Sequence, residues 1–105
     1  MKTAPFHILL ALREGAAHGF EIRRRVEEQT GGEVRLWPAT LYGSIRRLAA
    51  DGQVEALEGE DDPDHDARRR YYRLTAVGRA ALLAEAERLE AFVRAARGTG
   101  TLRQT

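Results

Sequence analysis

Two short segments of this chain hold arginines and no acid: three between Arg35 and Arg47, and four between Arg68 and Arg73. Hydroxyl-bearing residues interleave with them, Thr40, Tyr42 and Ser44 in the first and Tyr71 and Tyr72 in the second. A guanidinium presents a rigid fork of donors that fits phosphate oxygens or the edge of a guanine, and a hydroxyl can both donate and accept. The chemistry available is recognition of an anionic, hydrogen-bonding surface, not the making or breaking of bonds. The formal net charge is only +1, because seven acids without a lysine or arginine run from Glu55 to Asp66. Electrostatic footprints are local, so the two basic segments count for more than the sum. On residue types alone, a solvated cationic face is an equally open reading.

Other chemistries find little support. The absence of cysteine removes disulfides, thiolate metal sites and cysteine nucleophiles. No serine, histidine and acid arrangement, glycine-rich phosphate loop or paired-carboxylate pattern appears, so neither an active site nor a cofactor is expected. His7 lies among apolar residues, and His18 is read as a helix cap. The run Gly59-Glu60-Asp61-Asp62-Pro63-Asp64-His65-Asp66 has hard-cation ligands but no recognised ligand spacing, so a solvated, mobile tip is expected and no metal site. Ile8-Leu9-Leu10-Ala11-Leu12 is too short for a membrane span and ends in Arg13 and Glu14, which points to a soluble cytoplasmic protein.

A length of 105 residues suffices for one domain whose small core makes dimerisation a reasonable expectation. Pro5 suits a first helical turn, and Ile8, Leu9 and Leu12 follow on one face of a helix ending near Gly15. His18-Gly19-Phe20 opens a second helix, with Phe20 and Ile22 flanking a stripe that includes Val26 and Gln29, and Gly31-Gly32 stops it. Pro38 opens a third, in which Leu41, Ile45 and Leu48 bury one side and leave Thr40, Tyr42, Gly43, Ser44, Arg46 and Arg47 wholly or partly outside. Alternation over Gln53–Glu58 and Arg70–Leu74 predicts an antiparallel hairpin with a loose tip. Thr75 is the expected cap of a last helix running to about Arg97. In it Leu82, Ala86, Leu89, Val93 and Ala96 recur at alternating steps of four and three, the spacing of a coiled-coil seam, with Leu83 and Phe92 beside them.

Three helices followed by a hairpin is the winged helix-turn-helix arrangement, and the sequence resembles the PadR-like transcriptional regulators. The resemblance rests on Ile8-Leu9-Leu10-Ala11-Leu12, His18-Gly19-Phe20-Glu21-Ile22, Thr40-Leu41-Tyr42 with Leu48, Asp51-Gly52-Gln53-Val54-Glu55, and Arg69-Arg70-Tyr71-Tyr72-Arg73-Leu74-Thr75 with Gly78. These blocks stand in family order and are far more specific together than any one of them. The resemblance implies a mainly α fold with a small β-hairpin: a DNA-binding domain over 1–75, a dimerisation helix over 76–97 as in the short branch of the family, and a frayed tail over 98–105. It implies a homodimer, held through Leu82, Ala86, Leu89, Phe92, Val93 and Ala96, that represses transcription from an inverted-repeat operator in double-stranded DNA. Thr40, Tyr42, Ser44, Arg46, Arg47, Arg68, Arg69 and Arg70 are the expected DNA contacts, and a small aromatic effector is a further expectation.

The chain departs from the family pattern in three places. Gly43 stands where a longer, often basic, side chain is usual, which thins base readout by that helix. Trp37 replaces a small capping residue and is expected to pack in the core or a seam. The acidic tip lacks the basic, glycine-proline character common in the family. These departures, with the near-neutral charge, support the competing reading of a winged-helix module that binds protein and not DNA.

Overall fold

In the computed structural model, residues 1–57 and 70–98 are described. Helix α1 (Thr3–Leu12) is apolar over most of its surface, and Ile8, Leu9, Ala11 and Leu12 are buried. Helices α2 (Gly19–Gln29), α3 (Pro38–Ala50) and α4 (Ala76–Arg97) all pack on it. The end of α1 is tied to α2 by Arg25, whose Nη1 donates to the carbonyls of Ala11 at 3.0 Å and Gly15 at 2.8 Å. The Gly15 carbonyl lies beyond the end of α1, so one guanidinium nitrogen ties both the last turn and the turn that follows it to α2.

The expected hairpin is present but shorter, as β2 (Val54–Ala56) and β3 (Tyr71–Leu74). A strand that the sequence pattern did not reveal, β1 (Ala17–His18), pairs with the other edge of β3, giving an antiparallel sheet in the order β1-β3-β2. Ala17 opposes Tyr72 and His18 opposes Tyr71, while Val54, Glu55 and Ala56 oppose Leu74, Arg73 and Tyr72. Two residues carry no readable alternation, which is why β1 is silent in the sequence. Tyr72, central in the sheet, is buried, and burial pushes its hydroxyl pKa up. The hairpin tip at 59–67, with the acidic run and His65, and the tail beyond Gly98 lie outside the described residues.

Helix caps follow the expected chemistry. The His18 Nδ1 accepts from the Glu21 N–H at 3.2 Å, and the Thr75 Oγ1 accepts from the Gly78 N–H at 3.0 Å. Gly52 at φ +74° turns the chain from α3 into β2, and Gly98 at φ +66° closes α4.

Several expectations of burial are corrected, among them Gln29, which is exposed and donates from Nε2 to the Glu14 Oε2 at 2.7 Å. Phe20 is not part of the flank of a buried stripe but is 55% exposed, since Ile22 and Val26, one turn apart, already fill the core-facing side of α2. Trp37 is 62% exposed. In the extended lead into α3 alternate side chains point opposite ways, so Leu36 takes the core position and Trp37 turns out beneath Arg23, whose guanidinium carbon is 5.6 Å from the ring centroid. Leu82, expected in an intermolecular seam, is 3% exposed within its own chain. Gly78, Leu82 and Glu85 lie on the side of α4 that rests on the domain, so this stretch of the stripe is already used.

The approach of α4 depends on Gly78. A Cβ there would stand 2.0 Å from the Gln53 carbonyl oxygen, a backbone atom with no freedom to retreat. Gly78→Ala should therefore cost about 2–3 kcal/mol by overpacking. At Gly43 an added Cβ meets nothing nearer than the Arg46 Nη2 at 3.9 Å. Gly43→Ala should stabilise α3 by up to about 1 kcal/mol. Urea unfolding of both variants checks the pair, and equal stabilities would contradict it.

His7 supplies a pH dependence. Its Nδ1 is buried without a hydrogen-bond partner among the described residues, and burial holds its pKa below the usual histidine value. The unfolded chain therefore binds the proton more readily than the native one, and the stability this residue contributes, full above about pH 6.5, is lost as pH falls below that. His7→Leu should lose less stability between about pH 7 and pH 5.5 than the wild type in urea titrations. An equal loss in the two proteins counts against the assignment.

Candidate nucleic-acid interface

Helix α3 carries the densest set of candidate contacts, and its position follows from its buried side. Leu41, Ser44, Ile45 and Leu48 face the core, a four-residue pattern at i, i+3, i+4 and i+7. Ser44 is thus only 9% exposed, which corrects the expectation that it stands on the outer face. The spacing was visible in the sequence; the polar side chain disguised it. Thr40, Arg46 and Arg47 are exposed, and Tyr42 and Gly43 are half-buried.

The surface of α3 has two flanks. Tyr42 leans toward the start of α2, where a Cβ on Gly19 would come within 2.1 Å of its hydroxyl oxygen and 2.8 Å of its Cζ. Gly19 is the residue that makes room for this ring, and no sequence signal beyond its place at a helix start marked it. Arg46 and Arg70 lie close enough to Tyr72 for their charges to oppose the rise of its pKa. This flank joins α3 to the sheet, where Arg70 and Tyr71 are exposed and the His18 ring meets Tyr71 edge-on at 5.3 Å. The other flank, with Thr40, Gly43, Ser44 and Arg47, faces the start of α1 across an open cleft of about 380 Å³. Arg68 and Arg69 lie outside the described residues. Among the described residues no group of three or more histidines, cysteines or carboxylates comes together as a metal would require.

The outer part of α4 forms a second surface. Leu83, Phe92 and Val93 are exposed and Leu89 is half-buried, with Ala86 and Ala96 exposed beside them. Phe92 lies under Arg88, whose guanidinium carbon is 5.2 Å from the ring centroid. Arg88 also donates from Nε to the Glu85 Oε1 at 3.0 Å, and this hydrogen bond holds the Glu85 carboxyl below the usual carboxylate range.

Comparison with known proteins gives the family of the chain. Residues 8–84 match the model of the transcriptional regulator PadR-like family. The chain belongs to that family. As a PadR-like regulator it is a DNA-binding protein of transcription control and not an enzyme. It is 35% identical over 88 residues to a transcriptional regulator of Mycobacterium tuberculosis, an alignment covering 84% of this chain and 77% of the relative. Its fold matches a transcriptional regulator from Clostridium thermocellum with a TM-score of 0.75 and 26% identity, over 93% of this chain and 90% of the other. A PadR of Bacillus subtilis, solved in complex with operator DNA, shares the fold at a TM-score of 0.68 and 21% identity, over 82% of this chain and 48% of its own. Among the described residues no helix is long and apolar enough to cross a membrane.

The packing of Tyr42 on Gly19 yields a separable prediction for this DNA-binding regulator. The atoms a Cβ would strike at position 19 belong to the outer end of a side chain that can swing away. Gly19→Ala should cost no more than about 1 kcal/mol of stability, within the usual range for single substitutions. It should nevertheless weaken duplex binding measurably, because Tyr42 is displaced. Anisotropy titration beside a urea melt tests this, and unaltered affinity in a well-folded variant rules it out.

Proposed function

We propose that this chain is a homodimeric repressor that binds an inverted-repeat operator, with α3 of each protomer in successive major grooves. The observation that carries the reading is α4. Its first turns are anchored in the domain, yet beyond Glu85 it presents Phe92 and Val93 to solvent, with Leu89 half-buried beside them and Ala86 and Ala96 exposed before and after. Several large apolar side chains along one exposed helix make a surface that a second helix can cover. Leu82 is left out of that seam, and the residues that close it are Ala86, Leu89, Phe92, Val93 and Ala96. For the two α3 helices to enter successive major grooves, this pairing must set them about 34–36 Å apart, one turn of duplex.

Within each half-site Arg46 and Arg70 serve phosphate or groove on the sheet side of α3, and Tyr42 donates from its hydroxyl to phosphate. Arg68 and Arg69 extend the same basic run of the sequence toward the wing tip. Thr40 is placed at a base edge or a phosphate at the start of α3. Gly43 leaves the helix without a long base-reading side chain at its centre, so phosphate contacts carry much of the affinity. Relief of repression by a small aromatic compound belongs to the same reading, with Phe92 the aromatic group that α4 offers for stacking. Action on operators places the protein in the cytoplasm.

Sedimentation and duplex titration test the proposal together. The wild type should sediment as a dimer, and Leu89→Glu should dissociate it or unfold it by burying an unpaired charge at the seam. Phe92→Ser, at a position 57% exposed in the single chain, should weaken the dimer while leaving the domain folded. Wild-type affinity for a selected operator should fall steeply with salt. A monomeric wild type, or Leu89→Glu and Phe92→Ser dimers like the wild type, contradicts the dimer. A dimer whose partner binding is indifferent to salt is instead the protein-interaction module.

A further inference from the structure

The cleft between α1 and α3 lies on the side of α3 away from Tyr42, Arg46 and the sheet. Lys2, Ala4 and Pro5 form one wall, and Ala39, Thr40, Gly43, Ser44 and Arg47 the other. Both helices begin at this cleft, α1 after Lys2 and α3 after Trp37, and neither has a side-chain cap or an acid in its first turn. The N–H groups of Thr3 and Ala4, and of Ala39 and Thr40, are therefore first-turn donors without an intrahelical acceptor, at the positive ends of two helix dipoles. Lys2 and Arg47 add two full charges that no acid neutralises among the described residues. Ser44 is nine-tenths buried, lines the cleft and makes no hydrogen bond to another described residue. Its hydroxyl is a donor on the wall of the cleft that a ligand oxygen can engage. Gly43 keeps the wall low between Thr40 and Arg47.

We infer that this cleft binds a phosphate group, and that the phosphate belongs to the DNA backbone. The inference rests on the reading that α3 enters the major groove. A helix in a groove about 12 Å wide has a phosphate backbone on each rim. Tyr42, Arg46 and Arg70 serve the rim on the sheet side. The cleft serves the opposite rim, with Lys2 and Arg47 supplying charge, Ser44 and Thr40 donating through their hydroxyls, and the first turn of α1 donating through its backbone. The start of α1 is thus part of the DNA-binding surface, and α3 is clamped from both sides.

The test uses the full chain and a duplex selected from a random pool, titrated by anisotropy at several salt concentrations beside a scrambled duplex. Arg47→Gln and Lys2→Gln should each lower the salt slope by about one and weaken operator and scrambled duplex alike. A charge-assisted hydrogen bond to phosphate corresponds to a loss of about tenfold or more for Arg47→Gln. Gly43→Glu, which gains helix propensity and so folds, should weaken both duplexes by at least as much, because it sets a carboxylate in the cleft. Thermal unfolding with inorganic phosphate distinguishes the source of the anion. Stabilisation by phosphate that these variants lose, with duplex binding unchanged, assigns the cleft to a free anion and overturns the DNA contact. Variants that match the wild type in both assays overturn the site altogether, while steep salt dependence in the wild type leaves DNA binding standing. A wild type without salt-dependent duplex binding removes the underlying reading and this contact with it.

Discussion

The fold is organised by the need to cover α1. Ile8, Leu9, Ala11 and Leu12 point to more than one side of this helix and all are buried, so a single neighbour cannot satisfy it. Helices α2, α3 and α4 and strand β3 each take part of its circumference. Burial of large aliphatic side chains contributes about 1.5–3 kcal/mol apiece, which makes this the dominant local term. The surfaces left for function are what this arrangement leaves uncovered: the outer face of α3, the exposed edge of the sheet, and the distal part of α4.

Regulation of transcription by such a small chain requires that rigid elements present the contacts, and each candidate contact here is fixed by a packing decision elsewhere. Gly78 lets α4 approach the Gln53 carbonyl, which sets where the helix leaves the domain. Gly19 makes room for Tyr42, which sets the ring beside the start of α2. Arg25 joins the end of α1 to α2, and its partner Glu21 is drawn below the usual carboxylate range chiefly by its hydrogen bond from Arg24, with Arg25 adding to the effect. The charge proposed to face DNA is held apart from charge that the fold consumes: Arg24 and Arg25 pair with Glu21, and Arg73 pairs with Glu55, whereas Arg47 and Lys2 face a cleft with no acid in its lining.

Periodic patterns made most of this legible in the sequence. The stripe Leu41, Ile45, Leu48 located α3 and its buried side, Pro38 and Asp51-Gly52 marked its ends, and Thr75 marked the start of α4. What stayed hidden depends on contacts between distant residues. The strand β1 exists because β3 offers it a free edge. Leu82 belongs to the core because Gly78 brings α4 down upon the sheet, which a heptad pattern alone does not encode. Trp37 turns outward because Leu36 next to it takes the core-facing direction, which residue type alone does not encode. Lys2 carries no signal in the sequence, because its place beside Ser44 depends on α1 and α3 beginning at the same cleft.

In the proposed assembly two copies of α3, set by two-fold pairing through α4, read one duplex. Hydroxyl-radical footprinting on an operator selected from random duplex measures this directly. Two protected patches related by two-fold symmetry are expected, with centres about 10–10.5 base pairs apart on one face of the helix. A single protected patch without symmetry, or no protection on a sequence the protein itself selected, would contradict it.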